Sequence, residues 1–165
     1  MKHHISGVHH VSISVPDIDT ARRFYIDLLG AEEVFAAEWE PGNAWIDAIV
    51  GIKDSAAKSF MARLKNIYVE VFEYVSPKSP PQDPARPVSH NGYTHIGFQV
   101  DDIQAVYDRM VEAGLTFNTA PDMSVIATDE NGNKSGHAAT YGRDFFGNLF
   151  EIMEIHPNES IPAVS

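Results

Sequence analysis

A segment near the amino terminus of this chain recurs 85 residues further on. His10-Val-Ser-Ile-Ser-Val-Pro-Asp17-Ile18 aligns with His95-Ile-Gly-Phe-Gln-Val-Asp-Asp102-Ile103, with His10/His95, Val15/Val100, Asp17/Asp102 and Ile18/Ile103 identical. An internal duplication constrains the fold strongly, because whatever one copy builds the other must build as well. Each copy runs into apolar residues at helical spacing. In the first these are Ala21, Phe24, Tyr25, Leu28 and Leu29, stopped by Gly30; in the second, Ile103, Val106, Tyr107 and Met110, stopped by Gly114. Asp17 and Asp102 fall where a carboxylate can accept the free amide protons of a first helical turn.

Strand-like stretches follow each helix. They are Val34–Ala36, Trp45–Val50, Ser59–Leu64 and Ile67–Phe72 in the first copy, and Thr116–Phe117, Ser124–Ala127, Ala138–Tyr141 and Leu149–Ile155 in the second. Asn131-Gly132 marks a hairpin turn, and Asp144-Phe-Phe-Gly147-Asn148 a turn into the last strand. The unit is strand, helix and about three strands, used twice, so the class is α+β with two tandem βαβββ modules. The modules are expected over about 7–74 and 92–156 of a single domain, 1–165. Between them, 75–91 is a connector with five prolines from Val75 to Pro87, and 157–165 is a polar tail expected to fray.

Alternate strand residues face opposite ways. Val11, Ile13 and Val15 share a face expected under the helix, leaving His10, Ser12 and Ser14 on the other. Likewise Ile96, Phe98 and Val100 oppose His95, Gly97 and Gln99. His9 falls on the helix-covered parity and is set aside. In the last strand of each module, Glu70 shares its face with Tyr68 and Phe72, and Glu151 with Leu149 and Met153. A carboxylate among apolar neighbours is costly unless it is paired or metal-bound. Each module therefore begins with a histidine and ends with an acid, 60 residues apart in one and 56 in the other. Two imidazoles and two carboxylates make a plausible octahedral-type site with room for two further oxygens.

The chain has no cysteine, which excludes thiolate nucleophiles, disulfides and cysteine-ligated metals. Its net charge of −11 disfavours nucleic acid and anionic membrane surfaces as partners. No run approaches the roughly 18 apolar residues of a membrane span, and the amino terminus lacks a secretory pattern. A cytoplasmic location is expected.

These residues resemble the vicinal oxygen chelate superfamily, the glyoxalase, bleomycin-resistance and extradiol dioxygenase group. The resemblance rests on His10-Val-Ser-Ile-Ser-Val-Pro-Asp with Ala21-Arg-Arg-Phe24-Tyr25 and Leu28-Leu-Gly30, on His95-Ile-Gly-Phe-Gln-Val-Asp-Asp, and on Arg143-Asp144-Phe-Phe-Gly147-Asn148-Leu-Phe-Glu151. It covers about Gly7 to Ile155. It implies curled mixed sheets around a metal-centred cleft, one divalent metal per site (Zn, Ni, Co, Mn or Fe) on His10, Glu70, His95 and Glu151, and a homodimer.

That ligand set is similar to glyoxalase I and the methylmalonyl-CoA epimerase branch. The implied chemistry is metal-assisted proton transfer, an isomerase or lyase reaction through an enediolate or enolate of a small substrate with adjacent oxygens. Glu151 is the first choice of catalytic base and Glu70 the second. Glyoxalase I carries an arginine where Ser14 stands and an asparagine where Tyr74 stands, so glutathione is not the expected substrate. An extradiol-type Fe or Mn dioxygenase, needing only His10, His95 and Glu151, is one alternative; a small-ligand-binding resistance protein is another. Tyr68, Phe72, Leu149 and Met153 are expected to wall the pocket, with Arg63 and Arg143 available to a substrate carboxylate. Trp39, Trp45, Phe60, Met61, His137 and Tyr141 are weaker candidates.

Overall fold

The structure, a computed structural model, describes residues 4–164. Met1, Lys2, His3 and Ser165, which the expected domain and tail include, lie outside the described residues. The chain divides into two compact halves, one ending at Pro81 and the other beginning at Gln82.

In the first half, β1 (His10–Ser14) leads to α1 (Ile18–Arg22), which continues as a wider π-helical turn over Arg23–Leu28. Then come β2 (Glu32–Trp39), α2 (Ala44–Val50), β3 (Ala56–Leu64) and β4 (Ile67–Ser76). The sheet order is β1-β4-β3-β2, with β1 parallel to β4 and the other pairs antiparallel. The face carrying Phe60, Ala62, Val69 and Val71 is buried together with Ile18, Ala21, Phe24 and Tyr25 of the helical segment. The Arg22 guanidinium lies 5.0 Å from the centre of the Phe60 ring.

The second half repeats this plan with β5 (His95–Val100), α3 (Ile103–Glu112), β6 (Thr116–Phe117), β9 (His137–Arg143) and β10 (Leu149–Ile155). Its order is β5-β10-β9-β6, and β5 is parallel to β10. A small ribbon of β7 (Ala127–Thr128) and β8 (Lys134–Ser135) flanks the Asn131-Gly132 turn. Both sheets thus mix parallel and antiparallel pairs in one topology. Ser12 pairs with Glu70 in the first, and Gly97 with Glu151 in the second, so the duplication extends to register.

The helix starts follow the expected caps. Asp17 accepts from Thr20 N at 2.6 Å and Asp102 from Ala105 N at 2.9 Å. Each helix also has a second carboxylate at its first turn, from the last strand. Glu73 Oε2 accepts from Ile18 N at 3.1 Å, and Glu154 Oε2 from Ile103 N at 3.0 Å. These acids stand three residues beyond Glu70 and Glu151, hence on the opposite, helix-covered face. Amides at a helix start have no intrahelical acceptor, so a half-buried or buried carboxylate there is compensated. Glu154 is 2% exposed and also meets His156 Nε2 at 2.7 Å and Lys134 Nζ at 3.1 Å.

Some segments differ from expectation. Trp45–Val50, read as a strand, is the helix α2. Asn43 caps it by accepting from Ile46 N at 3.2 Å, and Gly51 closes it in a left-handed conformation. Ser124–Ala127 is mostly a 3₁₀ turn over Met123–Val125, capped by Asp122. The end of the proline-rich connector packs into the second half: Arg143 Nη2 donates to Arg86 O at 2.9 Å, and Gln82 Nε2 to Asn148 Oδ1 at 2.6 Å. The tail, expected to fray, is tied down by Asn158, whose Oδ1 accepts from Ser160 N and Ile161 N at 2.8 Å, and by Val164 N donating to Gln99 Oε1 at 2.7 Å.

Candidate functional site

On the uncovered face of the first sheet, β1 presents His10 and β4 presents Glu70. The imidazole Nε2 stands 3.3 Å from Glu70 Oε2. In the second half His95 Nε2 stands 3.4 Å from Glu151 Oε2. Strand parity and the parallel β1–β4 and β5–β10 ladders bring each pair together, as the sequence predicts within each module. The second pair is the more buried, with side-chain exposures of 26% and 16% against 39% and 26%.

The separations suit two donors aimed at a common point. A charge-assisted N–H···O bond is about 2.7–2.9 Å long. Two donors about 2.1 Å from one divalent ion and about 90–110° apart would stand about 3.0–3.4 Å from each other. An imidazole nitrogen and a carboxylate oxygen are also the donor types such an ion takes. Among the described residues, no three or more His, Asp or Glu side chains form a group that could hold a metal ion.

Each ring is held from behind. The Nδ1 atom of His10 lies 2.9 Å from His9 Nδ1, and that of His95 lies 2.9 Å from Thr94 Oγ1. His9 stacks on Tyr68 with ring centres 4.9 Å apart, and Tyr141 meets His95 edge-on at 4.8 Å. His9, which strand parity assigns to the helix-covered side, instead faces Tyr68. It precedes the first residue of β1, so alternation does not govern it.

The walls differ between the halves. Beside Glu70, Phe72 and Tyr74 meet Trp39, with ring centres 5.8–6.1 Å apart within the trio. Trp39 is fixed because its Nε1–H donates to Ser55 Oγ at 3.1 Å, and Ser55 Oγ donates to Asp47 Oδ1 at 2.6 Å. Beside Glu151 stands Gly97, where an added Cβ would lie 3.0 Å from Met153 Cε and 3.7 Å from Glu151 Oε2. Leu149 and Met153 are half-buried on that face, as are Tyr68 and Phe72 on theirs. Burial, and then the Glu70 charge, push the Tyr74 phenol up; burial and then Glu151 do the same to Tyr141. Each glutamate therefore has a neutral phenol within its field.

Several weaker candidates are engaged elsewhere. Arg143 donates to the Gly147 carbonyl at 2.7 Å and to Arg86 O, which commits it to the turn. Arg63 pairs with Glu32 on the exposed edge. Phe60 is buried on the helix-covered face, and Trp45 is 73% exposed on α2. A shallow cleft of about 430 Å³ opens beside α2, lined by Gly42, Asp47, Ile52 and neighbours, and includes none of the predicted donors.

Comparison with known proteins agrees with this architecture. Residues 7–152 match the Glyoxalase/Bleomycin resistance protein/Dioxygenase superfamily. The chain is 32% identical over 101 residues to a 2-epi-5-epi-valiolone epimerase of an Actinomyces species, a match covering 60% of this chain and only 54% of that protein. It is 32% identical over 110 residues to an ethylmalonyl-CoA/methylmalonyl-CoA epimerase of Cereibacter sphaeroides, covering 67% of this chain and 72% of the relative. Among solved structures, a glyoxalase family protein from Bacillus cereus superposes with a TM-score of 0.79 at 20% identity, covering 94% and 98% of the two chains. The fosfomycin resistance protein FosX from Listeria monocytogenes, solved with Mn(II) and sulfate, gives 0.57 at 17% identity, with 91% and 93% covered. The duplicated βαβββ plan, its register and the match along nearly the whole chain lead to one assignment: this chain belongs to the glyoxalase/bleomycin resistance/dioxygenase superfamily.

Proposed function

We propose that the chain is a divalent-metal-dependent isomerase of the epimerase type, moving a proton at a carbon next to a carbonyl in a small substrate with adjacent oxygens. His10, Glu70, His95 and Glu151 are its metal ligands, two from each half. The observation that carries this reading is the recurrence of one His–Glu pair in both halves, at 3.3 and 3.4 Å, a spacing suited to shared coordination. The two epimerase relatives favour this reaction class.

When bound, such an ion supplies Lewis-acid polarisation of a substrate oxygen. The protein supplies the proton transfer. Glu151, flanked by Leu149 and Met153, is the candidate base: Oε2 faces His95, and Oε1 takes the substrate proton and returns it. Glu70 is the second candidate base, and two bases suit a reaction that inverts a centre. The half-buried Tyr68, Phe72, Leu149 and Met153 offer apolar surface beside the two glutamates. Ser14 stands where glyoxalase I carries an arginine and Tyr74 where it carries an asparagine, which supports a substrate other than glutathione.

The test is exchange of substrate hydrogen with solvent. Methylmalonyl-CoA and 2-epi-5-epi-valiolone, taken from the names of the relatives, are the first compounds to incubate with metal-loaded protein in deuterated water. Deuterium incorporation seen by NMR, lost in Glu151→Gln, is expected. A dioxygenase would instead consume oxygen and retain activity in Glu70→Gln, which would overturn the isomerase reading.

A further inference from the structure

We infer that His9 and Thr94 are positioning residues that fix which nitrogen of the following histidine carries the proton. The inference rests on reading His10 and His95 as metal donors. Each imidazole has one nitrogen facing its glutamate, Nε2, and one facing the residue before it, Nδ1. To give a lone pair from Nε2, a neutral ring must carry its proton on Nδ1, and that proton needs an acceptor. His9 and Thr94 stand at equivalent places, 85 residues apart, each 2.9 Å from the Nδ1 in question.

The two neighbours are chemically unlike and share one capacity: each can accept. Thr94 Oγ1 has free lone pairs, and His9 Nδ1 has one when its own proton is on Nε2. The His9 ring is braced for the task by its stack on Tyr68, whose Cα is paired with that of His10. The duplication has therefore kept the device while changing the group that performs it. Threonine suits a position entering a strand, whereas histidine adds a ring that packs on the β4 tyrosine.

The experiment reads the tautomers directly. Long-range ¹H–¹⁵N correlation spectra of the metal-free protein should show His10 and His95 protonated at Nδ1 and bare at Nε2. Thr94→Val keeps the shape and removes the acceptor, so His95 should shift toward the Nε2–H form while His10 is unchanged. His9→Phe should do the reverse, keeping the stack. Zn(II) affinity, measured against a competing chelator, should fall about 10–100-fold in either variant, and Thr94→Ser should restore both signals. Unchanged tautomers and Zn(II) affinity in both variants would overturn the inference, as would wild-type rings protonated at Nε2. Wild-type rings protonated at Nδ1 and shifted by the variants, in a protein that binds no metal ion, would uphold the positioning role and instead defeat the metal reading.

Discussion

In the first half, the strand that carries Glu70 also presents Tyr68, Phe72 and Tyr74, and Trp39 closes on the last two. The corresponding face of the second half offers Gly97, Leu149 and Met153 around Glu151, with Tyr141 as its aromatic contact to His95. What the halves share is the helix cap, the second carboxylate at the helix start, the His–Glu pair and the group behind each histidine. What they do not share is side-chain volume. Even the covered faces trade volume locally: Val69 pairs with Ala62 in one sheet, while Phe150 pairs with Gly142 in the other. The backbone plan and the His–Glu pair thus survive in both copies, and the walls are free to differ.

The largest expected effect separates the two carboxylates at the helix starts. Glu154 is buried with three partners, whereas Glu73 is half-buried and accepts from Ile18. Glu154→Ala should cost about 3 kcal/mol of unfolding free energy and Glu73→Ala about 1 kcal/mol, measured by urea denaturation. Equal losses would break the comparison.

Gly142→Ala comes next. An added Cβ would lie 2.5 Å from Phe150 Cζ and 2.8 Å from Phe117 Cε1, so overpacking should cost about 1–3 kcal/mol. Pairing it with Phe150→Val should recover part of that loss if the volume trade with Ala62 and Val69 is real.

Ser55→Ala removes the acceptor of the Trp39 indole and a partner of Asp47. A loss of about 1–2 kcal/mol is expected, with a change in Trp39 fluorescence and no change at the second His–Glu pair.

Acid stability should depend on Glu154. Burial alone would raise the Glu154 carboxyl, but the Ile103 amide, His156 and Lys134 together hold it below the usual carboxylate range. A depressed carboxylate contributes stability above its unfolded pKa, and that contribution is lost as pH falls through its folded value. Glu154→Gln should therefore flatten the acid limb of the stability–pH curve. The smallest effect is expected at Arg63, where Ala should leave stability and metal affinity unchanged, because its pair with Glu32 is exposed.

Much of this was legible in the sequence because it depends on short-range rules. Strand parity placed His10 with Glu70 and His95 with Glu151, and the aspartates at 17 and 102 marked the helix starts. Parity failed where no strand exists. Trp45 and Ile49, like Ile46 and Val50, are four apart and belong to a short capped helix, which Asn43 and Gly51 bracketed in plain view. His9 escaped for the related reason that it precedes its strand. Glu73 and Glu154 were hidden because their partners are backbone amides of distant residues, a long-range contact that no local pattern reports.

On the proposed reading, these His–Glu pairs are metal donors. Metal content of purified protein by mass spectrometry, with Zn(II) titration of Glu70→Gln, Glu151→Gln, His10→Ala and His95→Ala, tests it most directly. One divalent ion per chain is expected, with a fall in affinity of at least about tenfold in every variant. Native stoichiometry and affinity in all four variants would contradict it.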